Sequence, residues 1–420
     1  MTSAVPALSA LVDALSVPTG FGDMSLVRSR PDSVRLLGGI PDPSVLPVED
    51  LRRSLDQVWS AGGGAASLRY SATPGLDGLR QWIAEREGVP VSRVLITNGG
   101  MHGLSLAVQS VVERGAAVAV DDPVFPLLLR VLELSDARPV PVPVEADGLD
   151  VDLLAARLAD GERIAAVYTV PDFHNPSQGT LSAAKRAALV ALAEQHGFVV
   201  IADDPYRELR FAGTDQGRRS FHDSEQVIHV NTFTKTLGPG LRLGWLVLPT
   251  WAVDGVQRLR NRQDSHSSTL VQTLVEHLLT TDPGGFDRRL ETARALYRHR
   301  AGTLVGLLRS RLGDQLELRD PEGGFFLWPR LRDDDLDPRD LHRRALAAGV
   351  EYQPGEFFAV PAGPGSRADD GAGTGGYPST DAARRLRLAY GDRTDEELST
   401  AVDRLAEALA GAERRAVVTR

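Results

Sequence analysis

Seven short apolar runs recur through the middle of this chain, with helical text between them. They are RVLIT (93–97), AAVAVDD (116–122), RPVPVPV (138–144), RIAAVYTV (163–170), FVVIADD (198–204), QVIHVNTF (226–233) and LGWLVLP (243–249). Near-continuous Val/Ile/Ala runs mark strands that are buried on both faces, because an exposed face would demand polar alternation. The intervening text reads as helix. SAAKRAALVALAEQHG (182–197), for example, opens on an N-capping Ser182 and closes on Gly197. Buried strands alternating with helices predict the α/β class, a mainly parallel seven-stranded sheet covered on both sides.

The texture changes near residue 285. Arg-rich helical text (286–312) leads into shorter strand signals in LELRDPEGGFFLWPRL, VEYQPGEFF and RRLRLAYG. The expected organisation is therefore a large domain over 46–285 and a smaller α+β domain over 286–420, the latter completed by an N-terminal arm (1–45). The Gly/Pro/Ser-rich stretch at 361–381 reads as a loop.

Composition removes several function classes. The 420 residues include no cysteine, which excludes disulfides, thiolate catalysis and Cys-bound metals. The formal net charge of −9 argues against nucleic acid as the main partner. No apolar run reaches membrane-spanning length, and the N-terminus, carrying Asp13 and lacking a basic region, makes a poor signal peptide. No membrane partner and a cytoplasmic location are the expectation.

In an open parallel sheet, ligands bind beyond the carboxyl ends of the strands. Polar groups follow one strand after another here. Gly99, Gly100 and Met101 stand where RVLIT turns into a helix, Phe125 after AAVAV, Asn175 after VYTV, and Asp203 and Tyr206 after FVVIA. NTFTKTLGPGLRLGW (231–245) then brings Thr232, Thr234, Lys235 and Arg242. Each group also has an ordinary reading: a tight turn, a core aromatic, an Asn-Pro turn, a helix cap, a basic surface turn. Their convergence on one sheet edge is the informative feature.

A phosphorylated aromatic aldehyde suits every part of that set. A lysine in apolar surroundings is a nucleophile toward carbonyls. Glycine amides at a helix N-terminus, hydroxyls and an arginine suit a phosphate. Phe125 could stack on a ring, Asp203 could pair with a pyridinium nitrogen, and Asn175 and Tyr206 could hydrogen-bond a phenolic oxygen. The cofactor implied is pyridoxal 5′-phosphate, held by Lys235.

With these residues in view, the sequence resembles the fold-type I pyridoxal-phosphate enzymes of aminotransferase class I/II, in the 2-aminoadipate/aromatic branch. The likeness runs from LLGGIPDPSVLP (36–47) through LRYSATPGLDGLRQWIA, ITNGGMHGL, DDPVFP, PDFHNPSQG, ADDPYREL, TFTKTLGPGLRLGW, EGGFFLWPRL and YQPGEFF to RRLRLAYG (384–391). The resemblance implies a ping-pong aminotransferase that moves the α-amino group of an L-amino acid to a 2-oxo acid. It implies that Lys235 is both the Schiff-base lysine and the base that moves the Cα proton, with Asp203 and Tyr206 as its catalytic companions. It further implies that Arg387 grips the substrate carboxylate, that Gly39 lies near that carboxylate beside Asn175, and that Tyr70 reaches the phosphate of a second subunit. A homodimer with shared active sites follows.

Three features depart from the family pattern. NPSQG replaces the usual Asn-Pro-Thr-Gly and suggests a longer loop beside Asn175. Gly100-Met101 leaves mainly backbone donors in the phosphate loop. The Asp203-Asp204 doublet makes the carboxylate assignment rest on the Asp-x-x-Tyr spacing. The altered loop keeps a second reading open: a lyase, decarboxylase, oxidase or cyclase on the same scaffold. A cofactor-binding regulator is disfavoured, since the text before LLGGIPDP carries no basic helix-turn-helix pattern. His102 and His174 flank the site loops and read as hydrogen-bonded structural residues. Arg28, Arg30 and Arg35 offer cations to an acidic substrate side chain, although arginines near a terminus are ordinarily solvated. The sequence leaves the substrate unnamed.

Overall fold

The computed structural model describes residues 7–15, 32–217, 219–361 and 381–412. Its centre is an eight-stranded sheet. The strands are β2 (Val94–Thr97), β3 (Ala117–Asp122), β4 (Arg138–Glu145), β5 (Gly148–Leu149), β6 (Ala166–Thr169), β7 (Val199–Asp203), β8 (Val227–Thr232) and β9 (Gly244–Val247), in the spatial order β2-β9-β8-β7-β6-β3-β4-β5. Seven of these are the expected runs. The eighth, β5, is a two-residue antiparallel edge strand, too short to show a periodic signal. Neighbours from β8 through β7, β6 and β3 to β4 are parallel, while β9 runs antiparallel to both β8 and β2.

The near-continuous apolar text has the packing expected of it. All residues of β2, β6, β7, β8 and β9 are buried. One side chain set (Leu104, Val120, Tyr168, Ile201, Ile228, Leu246) joins the largest core cluster, and another (Ala119, Val142, Val167, Val200) packs beneath the helices on the opposite side. The helix Ala183–His196 begins where expected: Ser182 accepts from the Lys185 amide, and Gly197 closes the helix in the left-handed region at φ 77°.

The smaller sheet takes strands from both ends of the chain. β1 (Val34–Leu36) pairs in parallel with β13 (Val350–Pro354), which pairs with β14 (Leu386–Ala389), which pairs with β11 (Phe326–Leu327). A separate two-stranded ladder joins β10 (Leu316–Glu317) to β12 (Arg330–Leu331). The β1 pairing brings the LLGG segment, which directly follows it, beside the carboxyl edge of the large sheet. The stretch expected to form a loop at 361–381 lies outside the described residues apart from its two ends.

A buried ionic knot ties the first helices to the sheet edge. Arg207, after β7, donates to both carboxylate oxygens of Glu87 at 3.1 Å and to Asp204 at 3.0 Å; Trp245 also donates to Glu87. Glu87, Asp204 and Arg207 are all buried. Removing one partner strands the others as uncompensated charge, which costs about 3–5 kcal/mol. Glu87→Ala is expected to lower stability by that amount, read as a lower urea unfolding midpoint.

Candidate active site

The strand directions explain why the polar groups meet. β2, β3, β6, β7 and β8 all end on one edge, and β9 starts there, so Thr97, Gly244 and Thr232 lie side by side in register. The approach is so close that a Cβ on Gly244 would come within 2.7 Å of the Asn231 carbonyl and 2.9 Å of Gly99. Beyond this edge lies a cavity of about 470 Å³.

At one end of the cavity the helix Gly100–Val111 points its N-terminus inward. The first amides of a helix have no intrahelical acceptor and favour an anion. Gly99 adopts φ 79°, and a Cβ there would meet the Arg242 guanidinium at 2.8 Å, so this turn requires glycine. Arg242 donates to the Asn98 carbonyl at 3.2 Å. Thr232 and Thr234 share a hydroxyl–hydroxyl hydrogen bond of 2.8 Å, and both line the cavity with Gly100, Met101 and Arg242. Backbone donors, two hydroxyls and a cation on one concave surface are the chemistry of a phosphate cup.

Asp203, at the end of β7, lines the middle of the cavity. Its Oδ2 accepts from the Tyr168 hydroxyl at 3.0 Å. Burial pushes its pKa up to about 7; Tyr168 and Lys235 oppose the rise, and Asp204 adds to it. A cation placed at this carboxylate would therefore be strongly held. The neighbouring Asp204 faces away. Burial acts on it too, but Arg207 and His229 hold its carboxyl well below the usual range. The doublet thus divides into one carboxylate for the cavity and one for the ionic knot.

Lys235 sits in the turn after β8, with Nζ donating to the Gly39 carbonyl at 2.5 Å and standing 5.6 Å from the centre of the Tyr206 ring. Burial, and then the charge of Arg387, pull its pKa down to about 8 against the attraction of Asp203. Tyr206 is buried beside Asn175, and burial raises its hydroxyl pKa. Phe125 also lines the cavity.

Arg387 lies behind this surface, fully buried, rather than on the cavity wall. It donates to Asn175 Oδ1 at 2.9 Å and to the Leu37 carbonyl, and it is sandwiched between the Phe326 and Phe358 rings at 4.3 and 4.9 Å. Burial disfavours its charge, yet a guanidinium does not give up its proton here, so an incoming carboxylate would be attracted. Gly39 lies on the cavity wall, where any Cβ would collide with the Phe326 ring.

Besides Arg387, two of the expected residues stand off the cavity wall. Gly99 shapes the loop from behind. Tyr70 is 93% exposed, stacked edge-on to His266 at 5.6 Å, and does not line this chain's cavity. His174 is buried at 3.2 Å from Asp121 and hydrogen-bonds Ser177, so it braces the loop. His102 accepts from the Asn98 amide and meets Gln263. The NPSQG loop closes on itself through His174 N–H to Gly179 O and Gln178 N–H to His174 O, both 2.8 Å, while the Gln178 side chain accepts from Trp328 N–H. Arg35 lines the cavity and approaches Glu351 at 3.8 Å; Arg28 and Arg30 lie outside the described residues. The sequence reading missed Tyr168, whose place in an apolar strand gave no polar signal, and Ile40 and Phe326 on the cavity wall.

Together these groups fit an aromatic, cationic, phosphorylated aldehyde: an anion cup, a carboxylate that burial makes receptive to a cation, and an amine of lowered basicity. The comparisons agree. The aminotransferase class I and II family model matches residues 39–405, and the chain belongs to that family. The 2-aminoadipate transaminase of Thermus thermophilus is 31% identical, with 92% of each chain covered. Aromatic-amino-acid aminotransferase 1 of Thermococcus litoralis is 27% identical over 90% of this chain and 88% of its own. The crystal structure of the α-aminoadipate aminotransferase of Thermus thermophilus, complexed with N-(5′-phosphopyridoxyl)-L-leucine, superposes with a TM-score of 0.79 at 30% identity, covering 91% of this chain and 93% of that one. The protein is a pyridoxal-phosphate-dependent aminotransferase of fold type I.

The lowered Lys235 pKa has a direct consequence. Only the neutral amine is nucleophilic, and the neutral fraction grows as pH rises toward the pKa. In cofactor-free protein, acylation of Lys235 by a small amine-reactive reagent is expected to speed up about tenfold per pH unit up to about pH 8 and then level off. Peptide mapping of the labelled lysine would measure this, and a plateau near the ordinary lysine pKa would contradict the burial argument.

Proposed function

We propose that the cavity binds pyridoxal phosphate through Lys235, with the phosphate held by Gly100, Met101, Thr232, Thr234 and Arg242 on the turn that Gly99 shapes, and the ring by Phe125, Asn175, Asp203 and Tyr206. The observation that carries this reading is the pairing of a buried carboxylate with a lysine of lowered basicity in one cavity, beside a helix N-terminus. When bound, the cofactor supplies an electron sink for the charge left by a departing Cα proton. Lys235 Nζ takes that proton, since its reach and its lowered pKa suit a base near neutral pH. Arg387 receives the α-carboxylate, with Gly39 giving room for its approach and Asn175 holding the guanidinium in place. The substrates are an L-amino acid and a 2-oxo acid that use the cavity in turn.

The relatives named for 2-aminoadipate and aromatic amino acids, together with a largely apolar wall that includes Arg35, support an amino acid with a long side chain. We assign residues 46–285 to the large cofactor-binding domain, and 286–420 with the N-terminal arm (1–45) to the smaller domain. Among the described residues no helix is long and apolar enough to cross a membrane. A cytoplasmic setting suits amino acid metabolism.

The half-reaction tests the function. Cofactor-loaded protein mixed with a single amino acid, without a 2-oxo acid, is expected to convert the aldehyde absorption band to that of the amine form; adding a 2-oxo acid should restore it. Lys235→Ala should slow the conversion by a factor of about 10³ or more. Release of ammonia, CO2 or peroxide without that reversal would favour the lyase, decarboxylase or oxidase reading instead.

Tyr70 and its neighbour Leu68, 93% and 72% exposed, suit a surface covered by a second copy, with Tyr70 completing that copy's phosphate cup. Mixing inactive Lys235→Ala protein with weakened Tyr70→Ala protein under subunit exchange should regenerate one intact site per mixed dimer. Activity that never exceeds the sum of the separate proteins would argue against a shared site.

A further inference from the structure

Tyr168 belongs to an apolar strand, yet its hydroxyl ends at the functional carboxylate. It stands on β6 opposite Ile201 of β7, fully buried, and its Oη lies 3.0 Å from Asp203 Oδ2. Among the described residues Tyr168 is the hydrogen-bond donor to this carboxylate. The other charged and titratable groups around Asp203 are committed elsewhere. Asp204, next in the chain, turns to Arg207 and His229. Asp121 on β3 accepts from the Val170 amide and faces His174. Lys235, after β8, donates to the Gly39 carbonyl, and Tyr206 lies beside Asn175.

The direction of the bond is settled by chemistry. An ionised carboxylate can only accept. Burial and the nearby Asp203 charge raise the phenol's pKa well above its ordinary value, so the hydroxyl keeps its proton throughout the working range. Tyr168 is therefore a permanent donor to Asp203.

We propose that Tyr168 is a positioning residue that keeps Asp203 ionised and thereby keeps the shared proton on the ring nitrogen of the bound cofactor. This rests on the reading of the cavity as a pyridoxal-phosphate site. A carboxyl group and a pyridine nitrogen in contact share one proton. The proton resides on nitrogen when the carboxylate's charge is stabilised, and moves to oxygen when a buried carboxylate loses its donor. Of the two arrangements, only the first leaves the ring cationic and able to draw electrons from the reacting carbon. A hydroxyl that never touches cofactor or substrate thus sets the electronic state of the ring.

The test is the ring nitrogen itself. Protein loaded with 15N-labelled pyridoxal phosphate reports protonation through the nitrogen chemical shift. Wild type is expected to show a protonated nitrogen at neutral pH, and Tyr168→Phe a shift toward the unprotonated value. Cofactor affinity of the cofactor-free protein supplies a readout independent of turnover. Measured with pyridoxamine phosphate, which forms no bond to Lys235, it should rise with pH in wild type as Asp203 ionises and flatten above about pH 7. In Tyr168→Phe the carboxylate is harder to ionise, so the plateau moves to higher pH. Below it, affinity falls about 10- to 100-fold relative to wild type, the value of a hydrogen bond to a charged group.

Neither change should appear when Tyr168→Phe is added to Asp203→Asn, which has no charge to stabilise. An equal effect in that background would reduce Tyr168 to packing. Should the Phe variant fold poorly, 3-fluorotyrosine at position 168 keeps the shape and strengthens the donor, and must hold the nitrogen protonated to higher pH than wild type. Wild-type protein that takes up no pyridoxal phosphate would sink the reading of the site. Uptake with identical nitrogen shifts in wild type and the Phe variant would sink only the assignment to Tyr168.

Discussion

A half-buried amine, a buried carboxylate and a buried guanidinium meet within one small region, and the rest of the structure is organised around tolerating that. Burying isolated charges costs several kcal/mol each unless partners are arranged for them. Lys235, Asp203 and Arg387 have been given partners that compensate them only in part: a carbonyl for the lysine, a phenol for the carboxylate, and an amide oxygen, a carbonyl and two aromatic faces for the arginine. Incomplete compensation leaves the lysine less basic and the carboxylate less acidic than they would be in water. Those are the states in which the amine can attack a carbonyl and the carboxylate can welcome a pyridinium.

The two neighbouring aspartates show how finely position controls this. Asp203 and Asp204 are adjacent in sequence and both buried, but a strand presents successive side chains to opposite faces. One meets a phenol and the cavity; the other meets Arg207 and His229. The first is pushed toward neutrality and the second away from it. The knot around Arg207 therefore does more than brace the sheet: it commits the second carboxylate elsewhere and leaves Asp203 as the receptive member of the pair at the cavity.

The residues legible in the sequence were those placed by strand ends. Gly100, Met101, Phe125, Asn175, Asp203, Tyr206, Thr232, Thr234, Lys235 and Arg242 all line or border the cavity because the loop after each strand falls on a common edge. Tyr168 was invisible, since an aromatic residue in an apolar strand looks like core and its hydroxyl acquires meaning only from the next strand. The closure of the NPSQG loop was equally hidden. In that loop the Gln178 side chain accepts from the backbone amide of Trp328, a residue far away in sequence.

Local chemistry and periodicity determined the fold class, the cofactor and the lysine proposed to hold it, because strand period, helix caps and turn residues are written in neighbouring positions. The tertiary structure decided what depends on distant segments meeting. The parallel pairing of β1 with β13 brings Leu37 and Gly39 over the lysine and the arginine. The reversal of β9 sets Arg242 against the helix N-terminus. The depth of burial, which shifts both key pKa values, belongs to neither segment alone. Desolvation is a property of everything packed around a group, and no local stretch of sequence contains it.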